Sequence, residues 1–87
     1  MDWKEELDKH GYNLLVDELV WHLDQGRIPI AVIKQSKDDD VGFEFRFENE
    51  TPHFLKVTPD LFNEHWEEAQ KITAGFPQLG SIEYIVN

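Results

Sequence analysis

Phe43-Glu44-Phe45-Arg46-Phe47-Glu48 is the stretch that decides the fold. Aromatic and charged residues alternate there with a period of two, so a strand through these positions buries one face and wets the other. One-sided burial implies a mostly antiparallel sheet whose dry side is covered by helices. Upstream, Ile28 to Gln35 (IPIAVIKQ) reads as a strand with Pro29 near its start, where a missing amide proton is tolerated. Ser36 to Asp40 supplies the polar turn between the two. Downstream, Asn49 to Pro52 turns the chain into a third strand, His53 to Val57. Asn49-Glu50-Thr51 matches a glycosylation sequon, but in a chain expected in the cytosol it reads as that turn.

Helices flank this meander. Thr58-Pro59-Asp60 places a hydroxyl cap, a proline at the first helical position and an acid at the positive end of the dipole, which predicts a helix to about Ala74, stopped by Gly75. Its apolar arc carries Leu61, Phe62, His65, Trp66, Ala69 and Ile72, with Asp60, Glu64, Glu67 and Glu68 opposite. Ile82 to Val86 follows as a last strand. At the other end, Asp2 and Glu5 form a capping box for a short helix that Gly11 interrupts or bends. A stronger helix then runs from about Tyr12 to Asp24, with Gly26 as its C-terminal cap. Tyr12, Leu15, Val16, Leu19, Val20 and Leu23 make its core stripe. The expected fold is α+β in one domain, 1–87: an N-terminal helix, continuous or broken near Gly11, a three-stranded antiparallel meander, a second helix and a final strand. Both helices lie on one face of the four-stranded sheet.

This order of elements resembles that of two groups. Double-stranded RNA-binding domains run α-β-β-β-α but contact RNA through basic clusters, which this chain lacks. Class I type III secretion chaperones are small and acidic and begin α-β-β-β-α-β, then add elements for which 87 residues leave no room. Order without a motif assigns the chain to neither.

Eighteen acids and eight bases give a formal charge of -10, and ten of the acids lie between residues 38 and 68 with only Arg46 and Lys56 to offset them. This balance disfavours direct binding to nucleic acid or to an anionic membrane and points to a basic protein partner. Without cysteine, no disulfide or thiolate metal site can form, and a reducing cytoplasm is the expected compartment. The start Met1-Asp2-Trp3-Lys4-Glu5-Glu6 does not read as a signal peptide, and no apolar run approaches the roughly 20 residues of a membrane span.

Leu14 and Trp21 sit nearly opposite the core stripe, with Asp17 beside them. Such a patch reads as an interface anchor, unless Trp3 and Leu7 fold back over it or a second copy covers it. The acidic window supplies Asp38, Asp39 and Asp40 in a turn, Glu44 and Glu48 on the wet side of the phenylalanine strand, and Glu64, Glu67 and Glu68 on a helix. Carboxylates spaced along a rigid surface can imitate a phosphate array, while a solvated face that keeps the chain soluble is the plainer account.

Catalytic and metal readings lack their residues. His65 with Glu64 and Glu68 has no second histidine on its face and reads as a hydrogen-bonded, partly buried core residue. Asp38, Asp40 and Gly42 do not complete a calcium loop. Ser36 and Ser81 look like turn residues, and the five glycines are scattered. No cofactor, no metal and no enzymatic activity are expected. The expected function is a small acidic domain that inhibits or sequesters a basic partner such as a nucleic-acid-binding enzyme or toxin. In it the window from Asp38 to Glu68 steers, and Trp21 anchors with Leu14 or Trp66. The alternative is a structural or chaperone-like homodimer built on the Leu14 and Trp21 patch.

Overall fold

The computed structural model describes residues 2–87. Its elements are α1 (Trp3–Asp8), α2 (Leu14–Asp24), β1 (Ala31–Lys37), β2 (Asp40–Arg46), β3 (His53–Val57), α3 (Pro59–Thr73) and β4 (Glu83–Val86), with a 3-10 turn at Pro77–Leu79. The strands form one sheet in the order β3-β2-β1-β4, antiparallel except where β4 runs parallel to β1. The α+β class expected from the alternating strand is what the chain adopts. The N-terminal region is two helices, separated around Gly11.

Register explains the layering. Val32 pairs with Phe45 and Tyr84, and Phe43 pairs with Leu55, so these side chains share one face of the sheet. That face meets Leu7 of α1, Leu15, Val16, Leu19 and Leu23 of α2, and Trp66 and Ala69 of α3 in a single core. Ala31, Ile33, Glu44, Arg46, Phe54, Lys56 and Ile85 project from the other side, which carries no helix. Gly42 belongs to this side as well. A Cβ there would collide with the Leu55 carbonyl and the Phe54 ring, so the close approach of β3 requires glycine.

Helix ends follow their caps. Asn13 is the N-cap of α2, its Oδ1 accepting from the Val16 N–H at 3.0 Å, and the helix therefore begins at Leu14. Tyr12, expected in the core stripe, lies outside the helix and is 68% exposed. At the other end Gly26 takes φ 81°, with its N–H on the Leu23 carbonyl and the Arg27 N–H on the His22 carbonyl. This Schellman closure turns Arg27 back toward the last turn of α2.

Strand limits move by a few residues. Ile28 to Ile30 precede β1, which instead continues to Lys37. The turn to β2 thus shrinks to Asp38 and Asp39, with Asp38 at φ 57°, a left-handed conformation that aspartate tolerates better than most residues. Thr58 precedes α3 without a side-chain capping bond, leaving Pro59 as the residue that sets its first turn.

Candidate functional site: a histidine and carboxylate cluster at a cleft

α2 presents Glu18 and His22 one turn apart, flanking its buried stripe. β3 begins with His53, and the Schellman turn delivers Arg27. Together with Trp21, Phe47 and the β2–β3 loop, Asn49 to Pro52, the two histidines and Arg27 line a cleft of about 650 Å³. Its lining joins residues 21–27 to residues 47–53, two segments that no local pattern could bring together.

His53 Nε2 lies 2.8 Å from Glu18 Oε1, and His22 Nε2 lies 3.9 Å from the same oxygen. Arg27 Nη2 is 3.1 Å from His22 Nδ1. A guanidinium only donates, so His22 Nδ1 accepts and the ring proton resides on Nε2. That Nε2 is buried and has no hydrogen-bond partner among the described residues, since 3.9 Å exceeds hydrogen-bond reach. Burial, then the Arg27 charge, then His53 push the His22 pKa down to about 4, so its imidazole is neutral at pH 7. Arg27 Nε, also buried without a hydrogen bond, has Glu50 Oε2 at 3.5 Å.

Trp21 is 50% exposed and forms one wall. It meets His22 edge-on at 5.0 Å, stacks on His53 at 6.4 Å, and has the Arg27 guanidinium 5.5 Å from its ring. The cluster thus offers two imidazole nitrogens and a carboxylate oxygen, all within 4.8 Å of one another. Such a set can ligate a cation or relay a proton.

Of the candidate partner-binding residues read from sequence, Trp21 alone lines this cleft. Trp66 is only 4% exposed, stacked on Phe43 at 5.7 Å and edge-on to Tyr84, so it is not available as a partner anchor. Its place on the apolar arc of α3 outweighs the tendency of tryptophan toward interfaces. Leu14 packs against the core at the start of α2, where its N–H donates to His65 Nδ1 at 3.0 Å. Trp3 pairs with Phe76, and Leu7 is a core residue. Asp17 binds His10 at 2.8 Å.

The acidic window does not form one surface. Asp40 pairs with Lys56 at 3.1 Å, and Glu44 with Arg46 at 2.7 Å, both on the helix-free side of the sheet. Asp38 and Asp39 occupy the β1–β2 hairpin, while Glu48 lies in the β2–β3 connection at the other end of β2. Glu64, Glu67 and Glu68 are exposed on α3, where Glu68 accepts from Asn13 Nδ2 at 3.3 Å. The structure gathers a different acidic set: Asp2, Glu5, Asp8 and Asp24 line a groove of about 320 Å³ with Val20 and Lys4. The i, i+3 spacing of Asp2, Glu5 and Asp8 was the available sequence signal for one wall of it.

Among the described residues no helix is long and apolar enough to cross a membrane. Comparison with protein-family models, with curated proteins and with solved structures gives no match for this chain.

Proposed function

We propose that this chain is a binding domain for a basic protein partner, engaged through its helical layer. The observation that carries the proposal is the division of charge between the two sides of the molecule. Asp2, Glu5, Glu6 and Asp8 on and before α1, Asp17 and Asp24 on α2, and Asp60, Glu64, Glu67 and Glu68 on α3 are all exposed. Those segments hold Lys4, Lys9 and Lys71, and Lys34 of β1 and Arg27 after α2 also lie on this side, so ten acids face five lysines and arginines. On the helix-free side Asp40, Glu44 and Glu83 are balanced by Lys37, Arg46 and Lys56. A one-sided field of this kind speeds encounter with a cationic surface and rejects anionic ones.

The groove between α1 and α2 gives that attraction a local form. Val20 offers apolar contact for the stem of a lysine or arginine, and the surrounding carboxylates receive its charged head. Inhibition or sequestration of an enzyme or toxin with a positive cleft is the use this surface serves best.

The test is a pull-down from native lysate eluted by stepwise salt, run with the unaltered chain, with Asp8→Lys and Asp24→Lys combined, and with Asp39→Lys and Glu48→Lys combined. Basic proteins retained by the first and third but lost by the second support the reading. Equal retention by all three overturns it. A homodimer is the second reading, on the helix-free sheet face, where Ile85 on the β4 edge is 38% exposed and Phe54 on the opposite β3 edge is partly exposed. Equilibrium sedimentation that finds a monomer at high concentration removes that alternative.

A further inference from the structure

We propose that Glu18, His22 and His53 form a three-ligand site for a divalent cation of the zinc class, with the adjoining cleft supplying the fourth position. Two of the ligands stand one turn apart on α2 and the third opens β3, so all three are fixed by regular structure. Tetrahedral zinc, with bonds of about 2.0 to 2.2 Å, sets its ligand atoms about 3.3 Å apart. Here Glu18 Oε1 is 2.8 Å from His53 Nε2 and 3.9 Å from His22 Nε2, and all three atoms lie within 4.8 Å. Side-chain rotations of an ångström or so suffice to close the set.

The second observation is independent of that spacing. His22 is 1% exposed, and its Nε2 has no hydrogen-bond partner among the described residues. A buried polar nitrogen without a partner needs a reason, and this one lies across from the carboxylate oxygen that His53 already contacts. A cation between them satisfies it. Two imidazoles and one carboxylate favour zinc, cobalt or nickel over magnesium and calcium, which prefer all-oxygen shells.

Arg27 opposes the cation and makes the idea specific. An imidazole bound to metal through Nε2 carries its proton on Nδ1, and that atom now accepts from Arg27 Nη2 at 3.1 Å. Loading therefore removes a proton from Nε2 and places one on Nδ1, with no net change at the ring, and Arg27 must release its bond. Glu50 Oε2, 3.5 Å from Arg27 Nε, is positioned to take the guanidinium. Arg27 is thus a competitor of the cation, whereas a second-shell group usually supports the metal by accepting from the ligating ring.

Calorimetry and thermal melting of the full chain with Zn(II), and visible absorption with Co(II), decide the matter. The expected result is one equivalent of saturable binding, a raised melting temperature that a chelator reverses, and the ligand-field bands of four-coordinate cobalt. Mg(II) in the same titration leaves the melting temperature unchanged. Glu18→Gln and His53→Ala, each checked for an intact melt in chelator, should weaken Zn(II) by about tenfold or more, and Arg27→Met should strengthen it. His53→Gln replaces His53→Ala if the latter does not fold. Absence of one-equivalent binding, or binding that Glu18→Gln and the His53 variant leave untouched, overturns the site.

Discussion

Two histidines are buried almost equally in this protein, His22 at 1% and His65 at 3% exposure, yet their surroundings differ. His65 belongs to the architecture. Its Nδ1 accepts the Leu14 N–H, one of the donors that a helix N-terminus leaves unpaired, and its carbonyl accepts from Asn13 Nδ2 at 3.1 Å. His22 sits among Phe45, Phe47, Trp21 and His53 with a guanidinium on one nitrogen and nothing on the other. The contrast teaches that burial alone does not separate a structural histidine from a functional one. What separates them is whether a buried ring nitrogen is left without a partner.

The largest effect should come from breaking the satisfied side. His65→Ala removes a buried ring and strands the Leu14 N–H, and denaturant unfolding should show a loss of about 3 to 4 kcal/mol at pH 7. His22→Leu, by contrast, keeps the volume and removes an orphaned nitrogen, though it also deletes the acceptor of Arg27 Nη2, so the same measurement should find a smaller loss, about 1 to 2 kcal/mol. If the two losses are equal, the contrast between the histidines is wrong.

Acid sharpens the comparison from the other direction. The folded-state pKa of His22, about 4, lies below the 6.5 of an unperturbed histidine, so the unfolded chain takes up the proton first as pH falls. The penalty for burying a protonated His22 is absent above about pH 6.5 and grows as pH falls to about 4, reaching on the order of 3 kcal/mol. Unfolding measured with chelator present should show that slope in the unaltered chain. His22→Leu should remove this part of it.

Smaller effects mark the edges of each region. Asn13→Ala deletes the cap on Val16 together with the bond to the His65 carbonyl and should cost about 2 kcal/mol by the same denaturant assay. Trp21→Ala, on the cleft wall and half exposed, should cost only about 1 kcal/mol. A loss as large as that of His65→Ala would mean that Trp21 is a core residue and not the wall of a site.

Much of the fold was legible because local rules act on neighbours. Phe43, Phe45 and Phe47 announced a one-sided strand, Pro59 set the start of α3, and Gly26 ended α2 where its missing Cβ permits positive φ. The His53–Val57 strand was read with its bounds intact. Tyr12 falls outside α2, against the apolar stripe, because the Asn13 cap, one residue on, decides where helical geometry begins. By sequence Trp66 fits both an arc residue and an anchor, and its packing against Phe43 makes it the former.

The candidate site was legible only in halves. Glu18 and His22 at i, i+4 on a helix are a readable pair of ligands, but nothing local joins them to His53, which arrives only after the β1–β2 hairpin and the following loop. The acidic residues show the same limit. Their density along the chain peaked between 38 and 68, while the surface that gathers negative charge draws on α1, α2 and α3 together.

By itself the sequence determined the class of fold, the alternation that chooses the buried face of the sheet, and the helix limits set by proline and glycine, since each follows from contacts a few residues apart. Tertiary structure alone decided that β4 lies parallel beside β1, that Glu44 and Asp40 are neutralised on the bare face, and that His22 meets His53 and Arg27 at a cleft. Those outcomes depend on how distant segments pack against one another, and one-dimensional spacing holds no record of that distance.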